Sequence, residues 1–127
     1  MDKEDFVTYT QAVKLKELGF DWKCIYRYGI KEGHNLGLTS MYDTHNTSEK
    51  GIFAPTLSQA QKWLREVKGM HVYSHITTQP ELKGKHYWEI TSKNGEVLDS
   101  IPYSKLVDTY EEALSGGIDK ALELLKE

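Results

Sequence analysis

Five histidines and one cysteine are the side chains of this 127-residue chain best suited to hold a metal or carry a proton. They are His34, His45, His71, His75, His86 and Cys24. His71 and His75 flank Tyr73 in a segment with a two-residue apolar period, so all three share one strand face. At roughly 3.3 Å per residue, the two histidines stand about 13 Å apart. One ion cannot bridge that span, and the i,i+4 pairing that chelates zinc needs a helix. A metal site would require one of them to meet His34, His45 or Cys24 from elsewhere, and no metal or cofactor is expected. Cys24 with a histidine, or Glu89 beside His75, would be the start of a small hydrolase. Cys24 falls in a register that buries it, where a thiol is usually inert. The chain contains no GxSxG, Walker, HExxH or CxxC pattern. No catalytic residue is assigned, and a non-catalytic protein is the expectation.

A sheet face offers more. If Val72, Ile76, Trp88 and Ile90 point inward, the opposite face carries His71, Tyr73 and His75 beside Tyr87, Glu89 and Thr91. Lys23 and Arg27 could join it from an earlier strand. The candidate ligand-binding set is therefore His71, Tyr73, His75, Tyr87, Arg27 and Lys23. Rings stack on bases, while His, Arg and Lys hold phosphate. The mixture suits a nucleotide-like ligand or a protein partner. A solvated face whose tyrosines serve strand propensity accounts for the same residues. A homo-oligomer formed through this face is a third reading.

The elements that position these groups begin with a pentapeptide pattern seen three times, at Thr8–Ala12, Thr56–Ala60 and Thr109–Ala113. Each reads Thr, apolar, polar, Gln or Glu, Ala, which is a capping box. Helices are expected from Thr8 to Leu18, from Thr56 to Lys68 and from Thr109 onward. Gly19 and Gly69 should end the first two in the left-handed conformation, with Phe20 and Met70 as the apolar residues beyond. In the third, Tyr110, Ala113, Leu114, Gly117, Ile118, Ala121, Leu122 and Leu125 share one face. Gly117 on that face predicts either a close backbone approach to the sheet or a kink.

Between the helices the period becomes two. Trp22, Cys24, Tyr26, Tyr28 and Ile30 predict an aromatic inner strand face, paired with Leu36, Leu38, Ser40 and Tyr42. Val72, Ser74 and Ile76 predict a third strand, His86, Trp88 and Ile90 a fourth. Asn94-Gly95 signals a type I′ hairpin that returns a fifth near residues 96–101. The order is α-β-β-α-β-β-β-α. It predicts a single α+β domain: one antiparallel sheet of four to five strands with three helices mainly on one face. The αββ units starting near residues 8 and 56 read either as an internal duplication or as two capping boxes alike for physical reasons. Residues 43–55 form a long polar loop and residues 77–85 a second extended connection.

The net charge of −3 is evenly spread: residues 1–53 hold 7 basic and 8 acidic side chains, residues 54–127 hold 9 and 11. That argues against a duplex nucleic-acid partner, which a basic patch would serve. A single cysteine rules out an intrachain disulfide and fits a reducing compartment. The acidic start and the lack of any apolar run near 20 residues predict no signal peptide, no membrane span and a cytoplasmic location. Asn46-Thr47-Ser48 matches a glycosylation sequon expected to be unused in that setting.

The segments 54–69 (APTLSQAQKWLREVKG) and 109–125 (TYEEALSGGIDKALELL), after 8–20 (TYTQAVKLKELGF), resemble small uncharacterised proteins of phages and prophages from anaerobic gut bacteria. The shared motifs are helix caps and a packed helix, so no site residue is carried over. The resemblance implies a phage accessory role, such as an anti-defence protein that sequesters a nucleotide-derived signal. A module that engages or inhibits a host protein is the alternative, and a small hydrolase the third.

Overall fold

A computed structural model describes residues 2–40, 44–47, 51–102 and 105–126. Three helices form where the Thr residues predict them: α1 (Tyr9–Glu17), α2 (Leu57–Lys68) and α3 (Tyr110–Leu125). In each, the Thr hydroxyl accepts the N–H three residues on, from Gln11, Gln59 and Glu112 respectively. Only α1 completes the reciprocal box, with Thr8 N–H donating to Gln11 Oε1 at 2.8 Å. Gln59 instead donates to the Lys23 carbonyl at 3.1 Å, and Glu112 accepts from the Thr109 hydroxyl at 3.1 Å. Tertiary and side-chain partners therefore displaced two of the three predicted return bonds.

The helix stops behave as expected. Gly19 has φ +99, and Phe20 N–H bonds back to the Leu15 carbonyl at 2.9 Å, closing the last turn of α1. Phe20 is then delivered to the core, edge-on to Trp63 with ring centroids 5.4 Å apart.

The strands depart from the single sheet predicted. Among the described residues there are two antiparallel three-stranded sheets. Sheet one has the order β2-β1-β3, from β1 (Tyr26–Tyr28), β2 (Leu36–Leu38) and β3 (Ile52–Phe53). Sheet two has the order β4-β5-β6, from β4 (Met70–Ile76), β5 (His86–Ser92) and β6 (Val97–Ser100). The predicted strand from Trp22 to Ile30 shrinks to three residues. Trp22 and Cys24 precede it without ladder bonds, and Ile30 lies beyond its end, 59% exposed. Its predicted partner also shrinks; of the residues assigned there, Tyr42 lies outside the described set. The missing third strand comes from the predicted polar loop, where Phe53 pairs with Arg27 and Ile52 with Tyr28. Asn46 sews that loop down: its amide donates to the Phe20 carbonyl at 2.8 Å and accepts from Phe53 N–H at 2.9 Å. With both ends of the amide occupied and the residue buried, the sequon is closed in the folded chain.

The β5–β6 turn is also not the type I′ predicted. Only Gly95 has a positive φ (+86), and Gly95 N–H bonds to the Ser92 carbonyl at 3.0 Å. A turn over residues 92–95 that ends in the left-handed Gly95 serves the same reversal.

Helix α3 lies on the inner face of sheet two and touches α1 and α2 as well. Ala113, Leu114, Gly117, Ile118, Ala121 and Leu122 are buried along it. Burial of Leu114, Ile118 and Leu122 contributes on the order of 2 kcal/mol each. The glycine pair sets how closely the helix sits. A Cβ at Gly117 would lie 2.6 Å from Val72 Cγ1 and 3.0 Å from Trp88 Cβ, so of the two sequence readings the close approach is found. Gly116 is less constrained, with Trp88 ring atoms 3.2 Å from such a Cβ. Helix α1 is pinned to α3 by one buried side chain. Gln11 Nε2 donates to Ser115 O at 3.0 Å, Ser115 Oγ at 3.1 Å and Asp119 Oδ1 at 2.8 Å.

Two glycine substitutions separate packing from propensity. Gly117→Ala should lower stability by about 1–3 kcal/mol through overpacking, despite a gain of about 1 kcal/mol in helix propensity. Gly116→Ala should stay within about 1 kcal/mol of the parent, because at 3.2 Å the Trp88 ring atoms need give only slightly and helix propensity offsets the cost. Urea unfolding midpoints of the two variants check the difference.

The Asp21 carboxylate bonds His45 Nδ1 at 2.9 Å and receives Asn46 N–H. The His45 bond, then the Asn46 bond, hold its pKa below the ordinary 3.8. A lowered carboxyl pKa stabilises the fold above the unfolded value and loses that contribution as pH falls through the folded value. The Asp21 carboxyl carbon should therefore titrate below pH 3.8 by NMR, and Asp21→Asn should flatten that part of the acid-unfolding curve.

Candidate functional site

The β4–β5 ladder runs unbroken over seven pairs, from Met70 opposite Ser92 to Ile76 opposite His86. This register sorts side chains onto the two faces as the alternation predicts. Val72 and Ile90 are opposite each other and buried beneath α3; Ser74 and Trp88 follow, with Ser74 Oγ donating to the Tyr110 carbonyl at 2.9 Å. Ile76 continues the same phase at the end of the strand, where it is 58% exposed rather than buried. The opposite face pairs His71 with Thr91, Tyr73 with Glu89 and His75 with Tyr87.

Four rings on that outer face form one row. Centroid separations are 6.1 Å from His71 to Tyr73, 5.7 Å from Tyr73 to His75 and 5.1 Å from His75 to Tyr87. Interplanar angles of 25°, 30° and 33° leave them tilted along the row. A loose bond of 3.4 Å joins Tyr73 Oη to His71 Nδ1. Tyr73 is the most open member, 39% exposed, while the other three are half-buried by their neighbours. Three surface grooves, of ≈ 330, ≈ 810 and ≈ 340 Å³, are lined by other residues, and the row lines none of these three.

The structure thus brings together His71, Tyr73, His75 and Tyr87, but leaves Lys23 and Arg27 on the other side of the topology. Both belong to the region of sheet one. Lys23 Nζ donates to Thr39 Oγ1 at 3.1 Å and the Ser40 carbonyl at 2.6 Å, and lies 5.7 Å from the centre of the Phe53 ring. Arg27 pairs with Gly37 and Phe53 and lines the ≈ 330 Å³ groove with Lys31 and Asn35. The expectation that they join the row assumed one continuous sheet, and the division into two separates them.

The remaining histidines are dispersed. His34 stacks on Tyr9, with centroids 3.8 Å apart and planes within 7°. His45 holds Asp21, and His86 lies on the inner face with a buried Nδ1 that has no hydrogen-bond partner among the described residues. Among the described residues no three His, Cys, Asp or Glu side chains come close enough to hold a metal ion. Glu89 stands opposite Tyr73 rather than His75. Cys24 Sγ donates to the Trp22 carbonyl at 3.4 Å and Gln59 Oε1 at 3.6 Å, and burial pushes its thiol up to about 12.

One feature had no counterpart in the sequence reading. The ≈ 810 Å³ groove runs between the start of α1 and the flank of α3, with the Tyr9–His34 stack on one wall and Glu111, Glu112 and Asp119 on the other. Its lining includes His34, which adopts φ +43 after Gly33, a conformation that residue type alone does not signal.

Fold and face together define a small α+β domain with a ring-bearing open sheet surface. No protein-family model, curated protein or solved structure matches this chain. Among the described residues no helix is long and apolar enough to cross a membrane.

The raised Cys24 pKa keeps the sulfur a neutral thiol at pH 8, since the thiolate is the reactive form. Alkylation of the native protein by iodoacetamide at pH 8 should be at least tenfold slower than in urea. Equal rates would contradict the burial described.

Proposed function

We propose that this chain is a non-catalytic binding protein, that it works through the outer face of sheet two, and that its partner is a protein surface. The carrying observation is the row His71, Tyr73, His75 and Tyr87 on an open sheet face outside the grooves. Protein interfaces are enriched in aromatic anchors, and a few such residues carry most of the binding energy. An open face suits another surface, whereas a small ligand needs concavity to bury most of its area. The nucleotide reading keeps the rings but loses its phosphate contacts, because Arg27 lies in sheet one and Lys23 is bonded to Thr39 and Ser40 beside it. In the phage or prophage setting that the resemblance implies, such a surface would occupy a host protein.

The test uses the double variant Tyr73→Ala/Tyr87→Ala, with Tyr110→Ala on α3 as a control at an exposed tyrosine. A protein captured by the parent chain is purified and its Kd measured against all three. At least a tenfold loss in the double variant, with the control unchanged, supports the reading. Native mass spectrometry with cyclic oligonucleotides and ADP-ribose derivatives runs in parallel. A nucleotide retained intact through the same tyrosines would replace the protein partner by a sequestered signal. A converted nucleotide would make the chain an enzyme. Binding that ignores both tyrosines would overturn the assignment of the face.

A further inference from the structure

Strand β4 is an edge of sheet two, and its backbone phase is fixed at both ends. Thr77 N–H, just past the strand, donates to the Lys85 carbonyl at 2.9 Å, which continues the register of the ladder. Odd-numbered residues of β4 therefore turn their N–H and C=O toward β5, and even-numbered ones turn theirs outward. Gln61 of α2 agrees, since its amide donates to the outward Val72 carbonyl at 2.7 Å. Beyond that bond, the outward backbone groups of Ser74 and Ile76 have no hydrogen-bond partner among the described residues.

Exposed strand edges are normally blunted by charge, proline, bulges or shortness. β6, the opposite edge, has three of these features. It is four residues long, carries Asp99 within 3.6 Å of Lys120, and pairs with β5 through a register shift. β2 and β3, the edges of sheet one, have three and two residues. β4 (MHVYSHI) has seven residues, no charge, no proline and an unbroken register. Its open half also carries the exposed Ile76 and Tyr73.

We propose that β4 pairs antiparallel with β4 of a second copy, about a two-fold axis at His75, to join two copies of sheet two into one six-stranded sheet. In that register Ser74 of each copy meets Ile76 of the other as a hydrogen-bonded pair. Four N–H···O=C bonds form, and the Gln61–Val72 bond is undisturbed. His75 faces its counterpart at the non-hydrogen-bonded site, so the rows of rings meet at the axis on one face of the joined sheet. On the other face Ile76 covers Ser74 of the second copy. A second copy is the occupant favoured because this register is its own complement: it satisfies the outward donors and acceptors of Ser74 and Ile76 and sets no charged strand residue against another. The pairing goes beyond the binding reading above and stands whether or not the outer face takes a protein partner.

Sedimentation velocity over a micromolar concentration series should show a monomer–dimer equilibrium. Ile76→Lys, at a site already exposed, should weaken it at least tenfold with an unchanged urea midpoint, while Leu38→Lys on β2 should leave it intact. The axis is tested by cross-linking. His75→Cys should oxidise to a disulfide-linked dimer, because non-hydrogen-bonded partners sit about 4.5 Å apart at Cα. Tyr73→Cys should not, because its counterpart lies about 13 Å away along the strands. A monomer throughout the series, or a dimer indifferent to Ile76→Lys, overturns the proposal. So does a dimer lost in Tyr73→Ala but kept in Ile76→Lys, which would place the contact on the face instead of the edge.

Discussion

The contact of Gly117 with Val72 and Trp88 is the constraint from which the rest of sheet two follows. A helix normally stands off a sheet by the depth of its side chains. Here the helix backbone comes within van der Waals reach of the sheet's own side chains. That closeness lets Val72 and Ile90 be sealed between α3 and the strands. A β-strand has only two faces, so committing one set of residues to the helix commits the alternate set to the opposite side. The row from His71 to Tyr87 is thus a consequence of the packing beneath it. A slip of one residue in register would exchange the rings for the core.

Elements governed by local chemistry were legible in the sequence. Thr8, Thr56 and Thr109 marked all three helix starts because a cap needs only its own next turn. Gly19 and Gly69 marked stops for the same reason. The face assignment of β4 and β5 was legible too, because it follows from alternation alone. The division into two sheets was not. Tyr26–Tyr28 and Met70–Ile76 look alike in pattern, and nothing local states which strands will share hydrogen bonds. β3 escaped notice because two residues, Ile52 and Phe53, carry no period; the buried Asn46 amide positions Phe53 from outside the strand.

The candidate site was legible to the same depth. Four of its six residues came together because they lie on adjacent strands of one hairpin-like pair. Lys23 and Arg27 required knowledge of sheet order. Their separation changes the chemistry of the face, leaving rings and neutral hydrogen-bonding groups with Glu89 and without the two cations a phosphate would seek. The Tyr9–His34 stack was invisible for a different reason: it brings together a helix start and a turn through a left-handed histidine, and neither half marks the other.

Gln11 has a consequence for how the chain is made. Its amide is fully enclosed, and its three acceptors lie 104 to 108 residues further along the sequence. A ribosome releases α1 long before it releases Ser115 and Asp119. During synthesis the first helix therefore carries a polar group whose final partners do not yet exist. Such distant pairing raises the entropic cost of reaching the folded state. Helix α1 can lock only after α3 has emerged, so the later helix sets when the earlier one is finished.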